Sequence, residues 1–312
     1  MIDHAQNSPE RRARAMARAA IVLHLGSPPN QLHREAGGLT NFVYRAKHID
    51  GDFIVRLSSD PAKINIYLKE QWAISRVREI GVPVPEVLEV GNQVGCPYMI
   101  ARAVPGCPAT NHPDRLKIVE ELGRIAALVH TVGTEGFGET FDWSQNRLSR
   151  AESWSDFLHN QLDVDRRVAV LVNQHMLSIR QAKALKTELR RIETWTEAPA
   201  LNHGDLRLKN LLVDKKGRVT ALIDWEFCQS AIAPYWELSL ALHDLSIDQK
   251  QALLVGYGLS QAALLEMAPA WKAFNILNYA PYIERALSNG DQLKLQAFRS
   301  RLSGALDLYS LW

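Results

Sequence analysis

Apolar and polar positions alternate with period two in two short runs, Phe42-Val43-Tyr44-Arg45-Ala46 and Phe53-Ile54-Val55-Arg56-Leu57. Asp50-Gly51-Asp52 between them is a turn signal, so the pattern predicts a β-hairpin. The spacing of apolar positions then lengthens to three and four from residue 64 to about 80. This predicts a helix, broken by Gly81-Val82-Pro83-Val84-Pro85. Two more strand candidates follow, at 86–90 and 97–101, and Pro105-Gly106 punctuates the chain. Ahead of the hairpin, Ser8-Pro9-Glu10 has the residues of a helix start, and the predicted helix runs to about Leu25 with Gly26 just past it.

After Pro105-Gly106 the spacing is mostly helical. Residues 115–131, 154 to about 176 and 178–195 read as helices, 199–223 turns strand-like, and from Pro234 the chain returns to helices until Trp312. The expectation is an α+β protein with a small sheet-bearing N-terminal lobe at 1–104 and a larger helical lobe at 105–312.

Composition narrows the function classes. The 312 residues are 46% hydrophobic and 22% charged, as in ordinary soluble globular chains. Lys plus Arg number 36 against 34 Asp plus Glu, a net charge of +2, too balanced to announce a nucleic-acid partner. Arg11, Arg12, Arg14 and Arg18 of the first helix read as a solvated face. The three cysteines make no metal spacing, and no stretch reads as a membrane span or signal peptide. A reducing, cytoplasmic setting is expected.

The candidate chemistry gathers in Leu201-Asn202-His203-Gly204-Asp205-Leu206-Arg207-Leu208-Lys209-Asn210-Leu211-Leu212-Val213. The turn Asp214-Lys215-Lys216-Gly217-Arg218 follows, then Val219-Thr220-Ala221-Leu222-Ile223 and Asp224-Trp225-Glu226. Read as a hairpin with Leu212 opposite Leu222, this segment sets Asn210 opposite Asp224. An amide and a carboxylate oxygen at one strand end suit a hard cation such as Mg²⁺. Asp205, on the loop just before, is free to approach a hydroxyl.

An aspartate followed five residues later by an asparagine, then by an aspartate after a strand, resembles the catalytic loop of kinases. In the form His203-Gly204-Asp205 to Asn210, then Ile223-Asp224-Trp225-Glu226, it resembles the aminoglycoside phosphotransferase family from about Gly37 onward. The resemblance implies a two-lobed protein-kinase-like fold and an ATP-dependent phosphotransferase acting on the hydroxyl of a small molecule. The acceptor classes are an aminoglycoside, another antibiotic, an amino alcohol or a sugar-like metabolite, and Mg²⁺ is the cofactor. Asp205 would be the catalytic base, with Arg207 beside the transferring phosphoryl group, and Asn210 and Asp224 would be the metal ligands. The nucleotide would meet the glycine-rich turn at Gly37, Gly38, Thr40 and Asn41, the cation Arg56 with its partner Glu70, and the hinge Ala101, Arg102, Ala103 and Val104. Arg56 stands where the family commonly has lysine. A catalytically silent nucleotide-binding protein is the alternative reading, and Lys63 or Lys69 are the next candidates for the cation.

Overall fold

The computed structural model describes residues 9–35, 42–242 and 245–308, with side chains described as far as 303. Gly37, Gly38, Thr40 and Asn41 lie outside the described residues, as does Ser8. The chain divides into two compact units, Met1–His112 with Leu208–Glu226, and Pro113–Arg207 with Phe227–Trp312. The sequence thus enters the second unit, returns to the first for nineteen residues around the candidate hairpin, and leaves again.

The first unit is built on a five-stranded antiparallel sheet. Its strands are β1 (Gln31–Arg34), β2 (Phe42–His48), β3 (Gly51–Leu57), β4 (Val87–Gln93) and β5 (Cys96–Arg102), in the order β1-β2-β3-β5-β4. The β2–β3 turn is tighter than expected: His48 pairs with Gly51, leaving Ile49-Asp50 as a two-residue loop, and Gly51 takes φ 122°, which a side chain would disfavour. Alternation in β3 buries Phe53, Val55 and Leu57 and leaves Ile54 and Arg56 on the other face. Helix α1 (Pro9–Leu25) lays Ala13, Ala17, Ala20 and Ile21 on the buried face; three of the four carry only a methyl group, so its backbone can come close to the strands. Helix α2 (Lys63–Glu79) contributes Tyr67, Ala73, Ile74 and Val77 to the interior.

A three-stranded sheet completes this unit, β6 (Cys107–Pro108), β10 (Leu211–Val213) and β11 (Val219–Leu222), in the order β11-β10-β6. Its register differs from the sequence expectation by one. Leu211, not Leu212, faces Leu222, and the Ile223 N–H donates to the Asn210 carbonyl at 2.9 Å, so Asn210 stands opposite Ile223 rather than Asp224. The turn accounts for the slip. Asp214 binds the Lys216 and Arg218 amides and closes a five-residue loop that pairs Val213 with Val219; Thr220 is then an extra residue that bulges β11 by one position.

The second unit is mostly helical. It contains α3 (Arg115–Val129), α4 (Trp154–Asp156), α5 (Val164–Asn173), α6 (Ile179–Glu193), α7 (Tyr235–Ala241), α8 (Ile247–Tyr257), α9 (Gln261–Ser288) and α10 (Gln292–Leu308). Two small ladders accompany them, β7 (Phe141–Asp142) with β8 (Arg147–Leu148), and β9 (Ala200–Asn202) with β12 (Gln229–Ala231). The single helix expected over 154–176 is interrupted: α4 passes into a π turn at Phe157–Gln161, and Asp163 adopts φ 53° before α5 begins. Helices α3 and α8 touch through glycines. A Cβ on Gly123 would stand 2.1 Å from the Leu253 carbonyl oxygen, and one on Gly256 would stand 1.8 Å from that of Glu120. Trp154, Phe157, Trp236 and Phe274 anchor the unit's core. Among the described residues no helix is long and apolar enough to cross a membrane.

Candidate active site

In the first unit the acidic and basic side chains at issue converge on Arg56. It lies on the face of β3 that alternation leaves outside the α1 core, yet it is 15% exposed. Its Nη1 donates to Glu70 Oε2 at 2.6 Å, and its guanidinium lies 5.3 Å from the centre of the Tyr67 ring, one turn of α2 before Glu70. Burial works against the Arg56 charge, but the Glu70 carboxylate, with Tyr67 and Asp224 beside it, more than offsets this and raises its pKa above the ordinary arginine value. Glu70 is 1% exposed, and its second oxygen, Oε1, is buried with no hydrogen-bond partner among the described residues.

Glu226 extends the cluster. Its Oε2 accepts from Lys63 Nζ at 2.7 Å and lies 3.9 Å from Arg56 Nη2. Lys63 opens α2, and its charge would oppose the positive helix end without such a carboxylate. Trp225 between the two acids packs fully buried, its Nε1 donating to the Leu222 carbonyl. Asp224 follows β11 with φ 69°, a left-handed conformation that aspartate tolerates better than most residues. It is close enough to raise the pKa of both Arg56 and Glu70 through its charge. Asn210 ends the 3₁₀ turn Leu208–Asn210 at the same end of the β10–β11 hairpin and is 4% exposed. Ala101 and Arg102 close β5, and Ala103 and Val104 follow it. The Arg102 amide donates to the Glu86 carbonyl and the Ala103 amide to that of Asp52, both at 2.9 Å.

The second unit holds Asp205 and Arg207 on the loop after β9. Asp205 is 4% exposed, and one of its carboxylate oxygens accepts from Arg207 Nε. Gly204 takes φ 82°, and a Cβ there would stand 2.1 Å from the Phe227 carbonyl oxygen, so glycine is required both by conformation and by space. A small cavity opens beside this loop, lined by Asp205, Arg207, Leu240, Asn278 and Tyr282.

The loop is fastened by a residue the sequence reading missed. Glu237 of α7, 1% exposed, accepts the His203 amide on Oε2 at 2.8 Å and the Gly204 amide on Oε1 at 2.6 Å. His130, just past α3, brings Nε2 to Glu237 Oε2 at 3.0 Å and Nδ1 to the Tyr257 hydroxyl at 2.9 Å. The carboxylate partner makes Nε2–H the donor to Glu237. The glycine contact of α3 with α8 is what brings His130 and Tyr257 to this separation. Burial alone would raise the Glu237 pKa, but the hydrogen bond and charge of His130, with His203, bring it below the usual glutamate value. The signal available in the sequence was one acid inside the otherwise uncharged helix Tyr-Trp-Glu-Leu-Ser-Leu-Ala.

A consequence for pH follows. A depressed folded-state pKa means that Glu237 contributes its stability in full above the unfolded glutamate value of about 4.3, and loses it as pH falls through the lower folded value. Glu237→Gln is therefore expected to cost about 1.5–3 kcal/mol near neutral pH, the scale of a charge-assisted hydrogen bond. The cost should shrink in acid. Chemical denaturation at pH 7 and at pH 3 checks this, and an equal loss at both would remove the carboxylate charge from the account.

A sheet-bearing unit with a buried Arg–Glu pair between strand and helix, and a helical unit presenting an aspartate on a fastened loop, define a kinase-like phosphotransferase. The family described as the phosphotransferase enzyme family matches residues 31–273, and the chain belongs to it. Among solved structures, it is similar to a thermostable mutant of aminoglycoside phosphotransferase APH(4)-Ia in ternary complex with ADP and hygromycin B. The identity is 18% over 93% of this chain and 97% of that one, with a TM-score of 0.69. It is also similar to the GDP complex of aminoglycoside 2′-phosphotransferase-IIIa (15%, 94% and 98%, TM-score 0.63). A third likeness is to macrolide 2′-phosphotransferase MphH from Brachybacterium faecium (19%, 92% and 97%, TM-score 0.57). At these identities the likeness is one of fold. No curated protein matches the chain.

Proposed function

We propose that the protein transfers the γ-phosphate of ATP to a hydroxyl of a small molecule, with Asp205 as the base. The observation that carries this reading is the Asp205 loop: an almost buried carboxylate at a cavity, on a backbone whose preceding two amides are held by Glu237. Asp205 would accept the proton of the acceptor hydroxyl. Arg207, touching that carboxylate, would stand by to offset charge as the phosphoryl group moves. Leu240, Asn278 and Tyr282 would meet the acceptor. The acceptor classes are an aminoglycoside, another antibiotic, an amino alcohol or a sugar-like metabolite.

On the nucleotide side, Arg56 and Lys63 are the cations offered to the phosphates, and the turn at Gly37-Gly38 with Thr40 and Asn41 would cover them. At the hinge the Arg102 and Ala103 amides are already used by the sheet. Recognition of the adenine by backbone groups over Ala101–Val104 therefore falls to the remaining groups, with the Val104 amide the donor we assign.

The donor set at the hairpin fits Mg²⁺. An amide oxygen and a carboxylate are hard ligands, and two of them leave room for phosphate oxygens and water, as this ion prefers. Among the described residues no group of three or more His, Cys, Asp and Glu side chains forms a richer metal site. Asn210 and Asp224 would hold the ion, which supplies charge neutralisation on the phosphates when bound. With the register slipped by one, Asn210 is not a direct cross-strand partner of Asp224, which takes positive φ beyond the end of β11.

A screen of ATP consumption against a panel of hydroxylated metabolites and antibiotics tests the reading. Turnover with one acceptor class supports it. Nucleotide binding without turnover on any acceptor favours the silent binding protein. Arg56→Ala is expected to weaken ATP binding by about 1.5–3 kcal/mol, the worth of a charge-assisted phosphate contact. It also strands Glu70 in the interior, so Arg56→Lys, which should restore part of the affinity and the pairing, is the companion variant. Calorimetric titration of ATP into both variants measures this. Unchanged affinity in the alanine variant would pass the cation role to Lys63.

A further inference from the structure

The cavity beside Asp205 is about 20 Å³ and is also lined from α9, by Asn278 and, one turn later, Tyr282. Asn278 is 3% exposed, in a stretch of the helix where Phe274, Leu277 and Tyr279 are buried too. An amide in such a place needs a reason, since burying one without its hydrogen bonds is costly.

Half of the reason lies on α7. Asn278 Nδ2 donates to the Ser239 hydroxyl at 3.1 Å, and that hydroxyl donates its single proton to the Trp236 carbonyl at 2.6 Å. With its proton committed, the hydroxyl can only accept from Asn278. This fixes which way the amide faces. The NH₂ end turns to α7, and the carbonyl oxygen Oδ1 is the end left for the cavity. Oδ1 has no hydrogen-bond partner among the described residues, and it is not one of the polar atoms sealed in the interior. Asn275, one turn earlier, gives the contrast. Its Nδ2 donates to the Ser239 carbonyl at 3.1 Å, close to the end of α7, and it does not line the cavity.

We propose that Asn278 Oδ1 selects the acceptor. It takes a hydrogen bond from a second O–H or N–H, on the carbon next to the one that bears the reacting hydroxyl. The substrate class is then vicinal diols and 1,2-amino alcohols rather than isolated alcohols. This rests on the proposed transfer at Asp205 and narrows it. A hydroxyl has one proton, which Asp205 takes, so the reacting group has none left for Oδ1. Both oxygens line one small cavity, so the second proton comes from a neighbouring position of the same molecule. An analogue without that donor leaves Oδ1 unpaired and is disfavoured for that reason.

The test uses the full chain and three probes of one ring shape: cyclohexanol, trans-cyclohexane-1,2-diol and trans-2-aminocyclohexanol. Acceptor-dependent ADP release gives kcat/KM for each, and saturation-transfer NMR reads binding independently of turnover. Wild-type protein is expected to favour the two-donor probes over cyclohexanol by about tenfold or more. The larger gain, with the amine or with the diol, identifies which donor the site takes. Asn278→Ala should lose the preference, with the loss falling on the two-donor probes. A ratio between probes does not depend on how much of a variant is folded, so a merely structural role would leave it unchanged. Asn278→Asp keeps an oxygen at the same place and should keep a preference, tilted toward the amine. Discriminating binding without ADP release from any probe would sink the transfer reading and still support Asn278 as the residue that recognises the ligand. Equal treatment of one-donor and two-donor probes by the wild type overturns the proposal. So does the wild-type ratio in Asn278→Ala, or failure of all three probes to bind.

Discussion

Replacing Asp205 by asparagine is expected to lower kcat by about 10²–10⁴, the contribution of a positioned general base, while nucleotide affinity stays near wild type. Three features of the loop make this a clean substitution. The side chains are nearly equal in size, so the almost buried position is not overpacked. Other groups hold the backbone of the loop: Glu237 binds the His203 and Gly204 amides, and the Asp205 amide donates to His203 Nδ1 at 3.2 Å. Arg207, which would lose a charged partner, is 40% exposed and can turn to water. The substitution removes the ability to take a proton. The candidate nucleotide residues Arg56 and Glu70 belong to the other unit. Steady-state kinetics on the acceptor found by the screen, with ATP titration alongside, gives the split between kcat and KM. Turnover close to wild type would mean that Asp205 is not the base. An equal loss in ATP affinity would mean that the loop itself had moved.

Much of this could be read from the chain, and the failures have physical causes. The β2–β3 hairpin, α2 and α3 were legible because each pattern of apolar spacing lies within one element and faces one core. The Arg56–Glu70 pair was legible through the family resemblance rather than through spacing, and the structure puts the two side chains 2.6 Å apart. The register of the β10–β11 hairpin was not legible. The loop that Asp214 closes pairs Val213 with Val219, two short of the expected sum, and the bulge at Thr220 restores one of the two; hydropathy encodes neither. The break at Asp163 escaped for a similar reason. A π turn and one left-handed residue shift the helix phase without removing apolar residues from the stretch, so the periodicity survives the interruption. The small strands β1, β6 and β12 are two to four residues long, too short to show any period. Glu237 went unseen because its importance lies in partners 33 and 34 positions earlier in the chain, and on the far side of it His130, more than a hundred away.

The change at Asp224 is expected to be the most damaging of all. An acid proposed to hold Mg²⁺ acts on the charge that develops during phosphoryl transfer. Losing it should cut turnover by about 10³ or more, beyond the loss of one neutral donor at a developing anion. Asp224→Ala carries a complication written in the backbone. At φ 69° an alanine pays about 1–2 kcal/mol for the left-handed conformation, so some loss of stability is expected whatever the role of the side chain. Asparagine tolerates that conformation, keeps one oxygen and removes the charge, so Asp224→Asn separates the two effects. Both variants should lose turnover, and only the alanine variant should melt at a lower temperature. In the wild type Mg²⁺ should bind weakly alone and much more strongly with ATP present, because two protein oxygens are too few to hold the ion without phosphate ligands. In Asp224→Asn the ATP-dependent gain should largely vanish. If instead Asp224 merely ends its strand, the asparagine variant would keep both the gain and the activity, and the alanine variant would lose activity only in proportion to its unfolded fraction. Magnesium titrations with and without ATP, run beside thermal melts on the two variants, decide between these outcomes.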